Sequence, residues 1–541
     1  MAASPRISLG SLRHVAGLVL ALVVLNFALT FHNVWPTLWI TTHHELSIEI
    51  AILLLGLVLY SRVGEIRPRT LTVIAVALTI MTIGRYAEVT APALYGRPVN
   101  IYWDAQYLPH VAAMLIEVAN PLLVLGLLLA CVLLLLAVFA ALRFALARVA
   151  RGLAVRGERR MIGALAGVLL GAYLAGHMSV LAPLGTLRAF SLPVTHTYWQ
   201  QARFLATALG ESGDPAVIGS DEPLGEPDLA RLGGADIVVQ FVESYGATAF
   251  DAPAVAAAIA PSRLELAAAL AATGRRVVSA FVESPTFGGA SWLAHSSFMT
   301  GLDVRHSAVY DLLLTQDRPT LPRLFAARGY RPVALMPGLK SEWPEGAFYG
   351  FATIYGARAL EYAGPEFGWW QIPDQYALAR LAEIEMQREP RQPLFVFFPT
   401  ITTHMPFRPV PPYQPDWKRV VSAEPFDVAQ TAAALDRLPE WTNMQPAYAE
   451  TLAYTFTYLS GFLRAHAEAS FLWVIIGDHQ PVASVSGVGA RWDVPVHVVS
   501  ANAAIVDALR ARGFTEGLTP ARAALGPMHE LPRTLLDALA R

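Results

Sequence analysis

The chain carries an Asp-His pair, Asp478 and His479, directly after a short apolar run. The run, residues 471 to 477, is rich in β-branched and aromatic residues and is followed closely by Pro481, which predicts a buried strand of a parallel sheet. In open α/β sheets, ligands bind outside the carboxyl ends of the strands. A divalent metal ion accepts a carboxylate and an imidazole together, so the pair predicts half of a metal site.

Polar side chains follow three further predicted strands. Glu243 ends the first strand, Ser291 follows a Gly-rich turn after the second, and His404 follows the strand that begins at Leu394. The carboxyl ends of parallel strands lie at one edge of a sheet, so these groups are expected to converge on the Asp-His pair.

One carboxylate, the Asp-His pair and one hydroxyl make a ligand set for a single divalent cation. A hydroxyl bound to such an ion has a lowered pKa and becomes a nucleophile near neutral pH. Zinc and manganese suit a mixed oxygen and nitrogen set, and the imidazole makes magnesium the less suitable ion. The predicted ligands are Glu243, Ser291, Asp478 and His479.

The role of Ser291 has alternatives in the same segment. Gly288 and Gly289 let the backbone approach a ligand closely, and the N–H groups of a helix start bind anions such as phosphate. Ser291 could instead be only a helix N-cap, a position that serine favours. Ser284 and Thr286 are the rival nucleophiles.

The first third of the chain is apolar. The 541 residues are 54% hydrophobic and 15% charged, which indicates a membrane-embedded part, and a net charge of −2 gives no sign of nucleic-acid binding. Five runs approach or exceed the roughly 20 apolar residues that cross a bilayer. Arg85 is expected to end the third run early. The five predicted spans lie at 15–32, 46–62, 70–87, 119–147 and 161–183.

Arginines predict the orientation of these spans. They cluster before the first span, between the second and third, and between the fourth and fifth. The positive-inside rule makes these segments cytoplasmic and puts everything after the fifth span outside. A cleaved signal peptide is the alternative for the first span, but that span lacks a clear small-x-small cleavage site, so an uncleaved anchor is favoured.

The sequence predicts three parts: a transmembrane domain over 1–184, a linker over 185–233 and an outer domain over 234–541. The linker contains an amphipathic helix, which lies on the membrane surface or packs as an ordinary helix. In the outer domain, β-rich runs alternate with helical ones, which indicates an α/β fold with a mostly parallel sheet. The predicted strands are Ile237–Val242, Val277–Val282, Val333–Met336, Leu394–Phe398, Leu472–Ile476 and Val494–Val499, and the predicted helices begin near Ser262, Ser291, Thr320, Asp374, Ala447, Asn502 and Glu530.

The order of these motifs resembles the alkaline phosphatase and sulfatase superfamily. It runs from Glu243-Ser244 through the Gly-rich turn with its hydroxyl to Thr-x-x-Thr-His-x-Pro-Phe over 400–407 and then Gly-Asp-His over 477–479. More narrowly it is similar to the membrane-anchored branch of lipoteichoic acid synthases, phosphoglycerol transferases and lipid A phosphoethanolamine transferases. That branch implies a five-helix transmembrane domain followed by a sulfatase-like α/β domain.

The resemblance implies roles for single residues. Glu243, Asp478 and His479 match the metal ligands of the branch, and Ser291 falls where the branch has a threonine nucleophile. His404 matches the histidine that contacts the transferred phosphate group.

Two further positions match the substrate site of the branch. Thr403 belongs to the same motif as His404, and Trp343 resembles an aromatic residue of the synthases' head-group pocket. The arginine of that pocket is replaced at Glu345 or its neighbours, so the resemblance does not extend to a preference for phosphoglycerol. The aromatic cluster around Trp343 either faces lipid or glycan or packs in the core; its members are Trp343, Phe348, Tyr349, Trp369 and Trp370.

Two departures from the superfamily's sequence motifs bear on the reaction type and on the number of metal ions. Formylglycine sulfatases have Pro or Ala two residues after the modified residue and Arg four residues after it, where this chain has Leu293 and His295. His295 either acts beside the nucleophile as that Arg would or packs in its helix. Two-metal phosphatases have a histidine shortly after Asp-His, where this chain has Gln480 and Pro481, so one metal ion is favoured.

The resemblance implies a two-step transfer of a phosphoglycerol or phosphoethanolamine group from a membrane phospholipid to an envelope glycan or lipid. A phospho-seryl intermediate forms at Ser291, with His404 or His295 stabilising the phosphoryl oxygens or protonating the leaving group. The protein is expected in the bacterial cytoplasmic (inner) membrane, with its catalytic domain on the periplasmic or extracellular side. The alternatives are a hydrolase of phosphodiesters or phosphonates, a sulfatase, and a non-enzymatic envelope scaffold.

Overall fold

The structure is a computed structural model in which the described residues form two compact units. One unit lies within Met1–Ala93 and Pro98–Leu209, and the other lies within Leu94–Arg97 and Gly210–Arg541. The first is helical apart from a two-stranded ribbon, and the second contains a large sheet. The described residues are 9–34, 37–95, 99, 101, 104–105, 121–177, 189–211, 224–225, 227–340, 343–368 and 371–541.

Helices of the first unit overlap all five predicted spans. In the described part of the chain, three helices are long and apolar enough to cross a membrane: Pro68–Leu94, Val124–Ala154 and Pro253–Ala272. The last of these belongs to the second unit. The other two support a membrane-anchored protein, and the count of five spans is not confirmed. The first unit contains helices Leu9–Thr30, Ile48–Tyr60, Pro68–Tyr95, Pro121–Ala154, Arg156–His177 and Val194–Glu211 and strands β1 (His32–Asn33) and β2 (Ile40–Thr41).

The expectation that Arg85 ends the third apolar run early is wrong. The helix continues to Tyr95. Arg85 is only 3% exposed, its Nε donates to the carbonyl of Phe31 at 3.0 Å, and its Nη1 lies 3.4 Å from Glu88 Oε2. A charge whose donors are satisfied by its neighbours is tolerated inside an apolar helix.

The helix Val194–Glu211 corresponds to the predicted amphipathic segment. Tyr198 packs against the helix Pro68–Tyr95, because its hydroxyl donates to the carbonyl of Ile80 at 2.7 Å. A Cβ on Gly84 would lie 2.4 Å from the Tyr198 ring, so this packing depends on a glycine. Tyr198 therefore makes the contact of an ordinary packing helix, while the next residue, Trp199, is 67% exposed.

A nine-stranded mixed sheet forms the centre of the second unit. Its strand order is β10-β4-β9-β8-β3-β7-β5-β6, with β11 paired beside β4. The strands are β3 (Asp236–Val242), β4 (Arg276–Glu283), β5 (Arg331–Met336), β6 (Thr353–Gly356), β7 (Leu394–Pro399), β8 (Phe471–Gly477), β9 (Asp493–Ser500), β10 (Thr515–Glu516) and β11 (Ala524–Pro527).

The strand directions bring the predicted chemistry to one edge. Strands β8, β3, β7, β5 and β6 are mutually parallel. Strand β9 is antiparallel to both β8 and β4, so β4 points the same way as β8. The carboxyl ends of β3, β4, β7 and β8 therefore lie at the same edge, and the predicted mostly parallel sheet is confirmed.

Helices cover both faces of this sheet over two apolar cores. All six predicted strands are present, and the short β6, β10 and β11 were not predicted. The helix predicted to begin near Ser262 begins at Pro253 instead, because the Ala-rich stretch before Pro261 is also helical. The helices are Thr248–Asp251, Pro253–Ala272, Ser291–Thr300, Ser307–Leu313, Leu321–Ala327, Gly346–Tyr349, Asp374–Leu381, Trp417–Val420, Val428–Leu435, Gln445–Ala465, Ala483–Ser486, Ala503–Arg510 and Leu531–Leu539.

Candidate active site and metal centre

The turn after β3 holds Glu243 at the carboxyl edge of the sheet. The backbone N–H of Glu243 donates to Thr400 Oγ1 at 3.1 Å, which ties it to the turn after β7. Ser244 adopts a left-handed backbone conformation with φ of 57°, and its carbonyl accepts from the Tyr448 hydroxyl at 2.8 Å. A non-glycine residue in this conformation costs about 1–2 kcal/mol, so the surrounding contacts fix the turn.

The Gly-Asp-His turn follows β8 directly. A Cβ on Gly477 would lie 1.8 Å from the carbonyl oxygen of Tyr245, so only glycine lets the two turns approach. Asp478 Oδ1 accepts from the backbone N–H groups of Ser244 and His479, each at 2.7 Å. Asp478 Oδ2 is buried and accepts no hydrogen bond from the described residues. One carboxylate oxygen is thus anchored, and the other is left to bind a cation.

His479 is oriented by its own backbone. Its Nδ1 lies 2.7 Å from the carbonyl oxygen of Gln480, which assigns the ring proton to Nδ1 and leaves the Nε2 lone pair for a ligand. Nε2 lies 3.4 Å from Glu243 Oε1 and 3.6 Å from Asp478 Oδ2. A backbone carbonyl on the second nitrogen is the usual support of a metal-binding histidine.

Ser291 is placed against this cluster by a strained turn. Gly288, Gly289 and Ala290 all have positive φ, at 68°, 149° and 61°. The helix begins at Ser291 with Ala290 as its N-cap, so the interpretation of Ser291 as only an N-cap is wrong. Ser291 Oγ donates to Glu243 Oε2 at 3.0 Å and lies 3.2 Å from His479 Nε2.

The two rival hydroxyls make structural hydrogen bonds. Ser284 Oγ donates to the carbonyl of Asp478 at 2.6 Å and is buried. Thr286 Oγ1 donates to the carbonyl of Gly289 at 2.6 Å and closes the Gly-rich turn. Of the three hydroxyls, Ser291 is the one that touches the carboxylate and imidazole cluster.

The cluster could hold a metal ion. Ligand atoms of Glu243, Asp478 and His479 all lie within 4.8 Å of one another, and all three residues are buried. Burial, and then the neighbouring Glu243, raise the pKa of Asp478. Burial alone would also raise the pKa of Glu243, but His479 lowers the pKa of Glu243 below its usual value. Burial lowers the pKa of His479, but the two carboxylates raise it to about 9. Two carboxylates around one imidazole stabilise positive charge, which is what a divalent cation supplies.

The loop after β7 carries His404 and rests on a carboxylate that the sequence did not single out for a role. Asp374 is fully buried and accepts from the N–H groups of Ile401 and Thr402, each at 2.9 Å. His404 Nδ1 lies 2.7 Å from the carbonyl of Met405. His404 makes a smaller contribution than His479 to lowering the pKa of Glu243, so the ring lies within electrostatic reach of the cluster.

Three other predicted residues lie outside the cluster's direct contacts. Thr403 is fully buried and its hydroxyl makes no hydrogen bond within the described residues. His295 packs edge-on between Phe241 and Phe397, with ring centroids 4.6 and 5.3 Å away. Trp343 stacks on Tyr349 with centroids 5.5 Å apart. Trp369 and Trp370 of the predicted aromatic cluster lie outside the described residues.

The buried side chain of Gln480 connects two other chain segments through hydrogen bonds. In the sequence, this position was informative only because it is not a histidine. Its Oε1 accepts from the N–H and hydroxyl of Thr248 at 3.2 and 2.8 Å. Its Nε2 donates to the carbonyls of Arg491 and Asp493 at 2.7 and 3.3 Å. No local sequence signal distinguishes such a residue from an exposed glutamine.

One known protein family matches part of the unit that contains the nine-stranded sheet. Residues 272–494 match the sulfatase family model, which confirms the superfamily resemblance for that part of the chain. No curated protein sequence matches the chain significantly.

Three solved structures are similar to this chain at low identity. One is the lipooligosaccharide phosphoethanolamine transferase EptA from Neisseria meningitidis, at 13% identity over 96% of this chain and 95% of that chain, with a TM-score of 0.47. Another is the lipoteichoic acid synthase LtaP from Listeria monocytogenes, at 15% identity over 51% and 69%, with a TM-score of 0.35. The third is the Streptococcus pyogenes phosphoglycerol transferase GacH in complex with sn-glycerol-1-phosphate, at 11% identity over 55% and 72%, with a TM-score of 0.35. At this level of likeness, the chemistry has to rest on the residues of this chain.

Proposed function

We propose that the outer domain transfers a phospho-head group from a membrane phospholipid to a hydroxyl acceptor. Residues 272–494 of this chain match the sulfatase family model. The observation that carries the proposal is the Ser291 hydroxyl, held 3.0 Å from Glu243 Oε2 and 3.2 Å from His479 Nε2. A hydroxyl with its proton acceptor already in place suits nucleophilic attack on a phosphate ester.

The start of the helix Ser291–Thr300 supports a phosphate as the group attacked. The helix has ten residues and no side-chain cap at its N-terminus. Its first N–H groups lack intrahelical acceptors and attract an anion. A phosphoryl group bound there lies beside the Ser291 hydroxyl at the same helix end.

The donor set fits one divalent cation, zinc or manganese. Glu243, Asp478 and His479 would hold it, with Ser291 Oγ as the fourth ligand. The observation that favours it is Asp478 Oδ2, which accepts no hydrogen bond from the described residues. When bound, the cation lowers the pKa of the serine hydroxyl and offsets the charge of the phosphoryl oxygens.

The transfer takes two displacements at phosphorus. Ser291 Oγ attacks, its proton passes to Glu243, a bond from Oγ to phosphorus forms, and the bond from phosphorus to the diacylglycerol oxygen breaks. His404 stabilises the phosphoryl oxygens and gives a proton to the leaving oxygen. An acceptor hydroxyl on a glycan or lipid then attacks the phospho-seryl diester and gives its proton to His404. The bond from Oγ to phosphorus breaks, and Ser291 recovers its proton from Glu243.

His295 supports phosphate rather than sulfate chemistry. It occupies the position at which a formylglycine sulfatase has arginine. Burial lowers the pKa of His295 to about 3, so the side chain is neutral at neutral pH and cannot replace that cation. Its contacts with Phe241 and Phe397 suit a packing role.

The apolar helices support a lipid donor. Five membrane spans with the N-terminus in the cytoplasm would hold the domain from about residue 234 on the periplasmic or extracellular side of the cytoplasmic (inner) membrane. Tethering the site at a bilayer raises the effective concentration of a phospholipid substrate.

Mass spectrometry of the Ser291 peptide after incubation with phospholipid tests the mechanism. The expected adduct is a phospho-head group on Ser291, and its mass identifies the head group. Fragmentation that places the adduct on Ser284 or Thr286 would contradict the assignment. Ser291→Ala is expected to lower turnover at least about 10³-fold.

Transfer is separated from hydrolysis with head-group-labelled phospholipid, assayed with and without glycan acceptor. Release of diacylglycerol with no labelled acceptor product would identify a phosphodiester hydrolase. A purified protein without bound metal, together with full function of the Ser291→Ala variant, would identify a non-enzymatic scaffold.

A further inference from the structure

A small aromatic cavity lies beside the helix that begins at Ser291. Its volume is about 90 Å³, and six of the nine lining side chains among the described residues are Trp, Tyr or Phe. None of the nine is Lys, Arg, Asp or Glu. The lining residues, called the aromatic cage below, are Trp292, His295, Met299, Tyr310, Met336, Trp343, Tyr349, Phe351 and Phe397.

The aromatic cage is adjacent to the candidate active site. Trp292, His295 and Met299 follow Ser291 at helical spacing, so one face of the nucleophile's own helix forms a wall of the cage. The charges of Glu243 and His479 act on His295, so this wall lies within electrostatic reach of the metal ligands. His295 is one helical turn, about 5.4 Å along the axis, from Ser291.

The aromatic rings form a continuous apolar lining. Trp343 stacks on Tyr349 at 5.5 Å and lies 6.2 Å from Phe351, which stacks on Phe397 at 5.8 Å and 22°. His295 meets Phe397 edge-on at 5.3 Å. Burial lowers the pKa of His295 to about 3, so the wall it forms carries no positive charge at neutral pH.

The tyrosine hydroxyls of the cage already use their protons within the protein. Tyr310 hydrogen-bonds to Tyr349, whose hydroxyl lies 2.7 Å from Ser296 Oγ. Ser296 Oγ donates to the carbonyl of Trp292 at 2.6 Å, so Tyr349 is the donor to Ser296. The chain of bonds runs from Tyr310 through Tyr349 and Ser296 into the helix backbone.

Two acidic residues neighbour the aromatic lining in the chain, because Asp311 follows Tyr310 and Glu345 lies two residues after Trp343. Burial and then Tyr349 raise the pKa of Tyr310, and the carboxylates of Glu345 and Asp311 contribute smaller increases. Aromatic faces and nearby carboxylates both attract a cation. A negatively charged group would meet no Lys or Arg on the nine lining side chains, and a glycerol-like group would find one buried nitrogen without a hydrogen-bond partner in the described structure, His295 Nε2, rather than a row of partners.

We propose that the aromatic cage binds the quaternary ammonium of a choline-type phosphodiester donor, an inference that rests on the proposed function of the Ser291 site. A quaternary ammonium is stabilised by ring faces and has no N–H groups to satisfy. A primary ammonium brings three N–H donors, and glycerol brings hydroxyls, and both lose hydrogen bonds on entering such a lining.

Four chromogenic donors test the inference: the p-nitrophenyl diesters of phosphocholine, phosphoethanolamine, phosphoglycerol and 3,3-dimethylbutyl phosphate. The last has an uncharged tert-butyl group in place of the trimethylammonium group, so it separates the charge of the head group from its shape, and it is called the neutral isostere for that group. The choline diester is expected to have a kcat/KM about tenfold above that of the neutral isostere. Equal or better turnover of the neutral isostere, or preference for the ethanolamine or glycerol diester, would overturn the inference and leave the proposed transfer intact.

A binding measurement keeps the inference testable without turnover. Calorimetry of the Ser291→Ala protein with phosphocholine and with 3,3-dimethylbutyl phosphate is expected to favour phosphocholine. Tighter phosphocholine binding in a protein whose wild type turns over none of the four diesters would support the cage and reject the transfer reaction. Equal affinity for the two ligands would reject the cage.

Matched variants connect the selectivity to the rings. Trp343→Leu and Phe351→Leu keep an apolar surface but remove a π face, and each is expected to lower the choline preference about threefold. Trp441→Leu is the control, because Trp441 is 60% exposed and does not line the cage. If Trp343→Leu fails to fold, Phe351→Leu gives the same readout, and an unchanged choline preference in a folded variant counts against the cage.

Discussion

Gly477→Ala tests whether the close approach of two strand-end turns builds the candidate metal site. The new Cβ would lie 1.8 Å from the carbonyl oxygen of Tyr245 and 3.2 Å from the Val494 side chain. Real Cβ atoms essentially never come within 3.0 Å of such an atom, so the two turns must separate by about 1 Å or more. The 2.7 Å hydrogen bond from the Ser244 N–H to Asp478 Oδ1 spans this gap and would be stretched or lost.

The expected cost combines overpacking with a lost charge-assisted hydrogen bond. Together these lower the free energy of unfolding by about 3–5 kcal/mol, and the displaced Asp478 weakens metal binding about 10–100-fold. Thermal unfolding in detergent and zinc titration measure the two effects. The control is Gly225→Ala, whose Cβ meets no atom within 4 Å. A Gly477→Ala protein that unfolds and binds zinc like wild type would refute the reasoning.

Three further substitutions probe groups around the site. His497 is buried, and burial lowers its pKa to about 3, so between about pH 6.5 and 3 the unfolded chain binds more protons than the folded chain. The free energy of unfolding is therefore expected to fall by about 1.4 kcal/mol per pH unit as the pH drops through this range. Chemical denaturation of the His497→Gln variant is expected to show no such slope. Asp374→Asn puts an amide N–H against a backbone N–H and is expected to cost about 2–3 kcal/mol of stability and to lower kcat/KM, with wild-type kinetics as the contrary result. Thr403→Val deletes a buried hydroxyl without a hydrogen-bond partner in the described structure, so the melting temperature is expected to stay equal or rise while kcat/KM falls about tenfold, and full activity would remove Thr403 from the substrate site.

The sequence predicted the parts of the site that strand ends supply. Apolar runs identify buried strands, and a parallel sheet brings their carboxyl ends together whatever their separation along the chain. That rule is sufficient to associate Glu243, Ser291 and the Asp-His pair, although β4 reaches its direction through the antiparallel β9.

Residues that support the site from other elements could not be predicted. In the sequence, Asp374 is an ordinary acidic residue near a helix start. Only the fold shows that its two carboxylate oxygens accept hydrogen bonds from the backbone of the loop that carries His404. Thr400 is the first residue of a recognised motif, yet its bond to the Glu243 backbone depends on the pairing of β3 with β7. The aromatic cage combines residues from several segments whose spacing carries no common period.

Helix length and hydropathy do not settle how many of the apolar helices cross a membrane. Ile48–Tyr60 has 13 residues, fewer than the roughly 20 that cross a bilayer, although its composition is strongly apolar. Pro253–Ala272 meets the length and composition criteria in the unit that holds the sheet, where Ile259, Leu266 and Leu270 are buried in a core. Hydropathy alone therefore ranks an Ala-rich core helix with membrane helices.

The hydrogen bonds of Gln480 bear on whether a histidine could take its place beside the Asp-His pair. A histidine at this position would lose the bonds to Thr248, Arg491 and Asp493, and the space beside it is already closed, since a Cβ on Gly246 would lie 1.9 Å from Gln480 Oε1. Such a replacement would therefore need compensating changes in the segments around Thr248 and around Arg491 and Asp493. The packing of Gln480 thus opposes any single substitution that would add an imidazole at this turn.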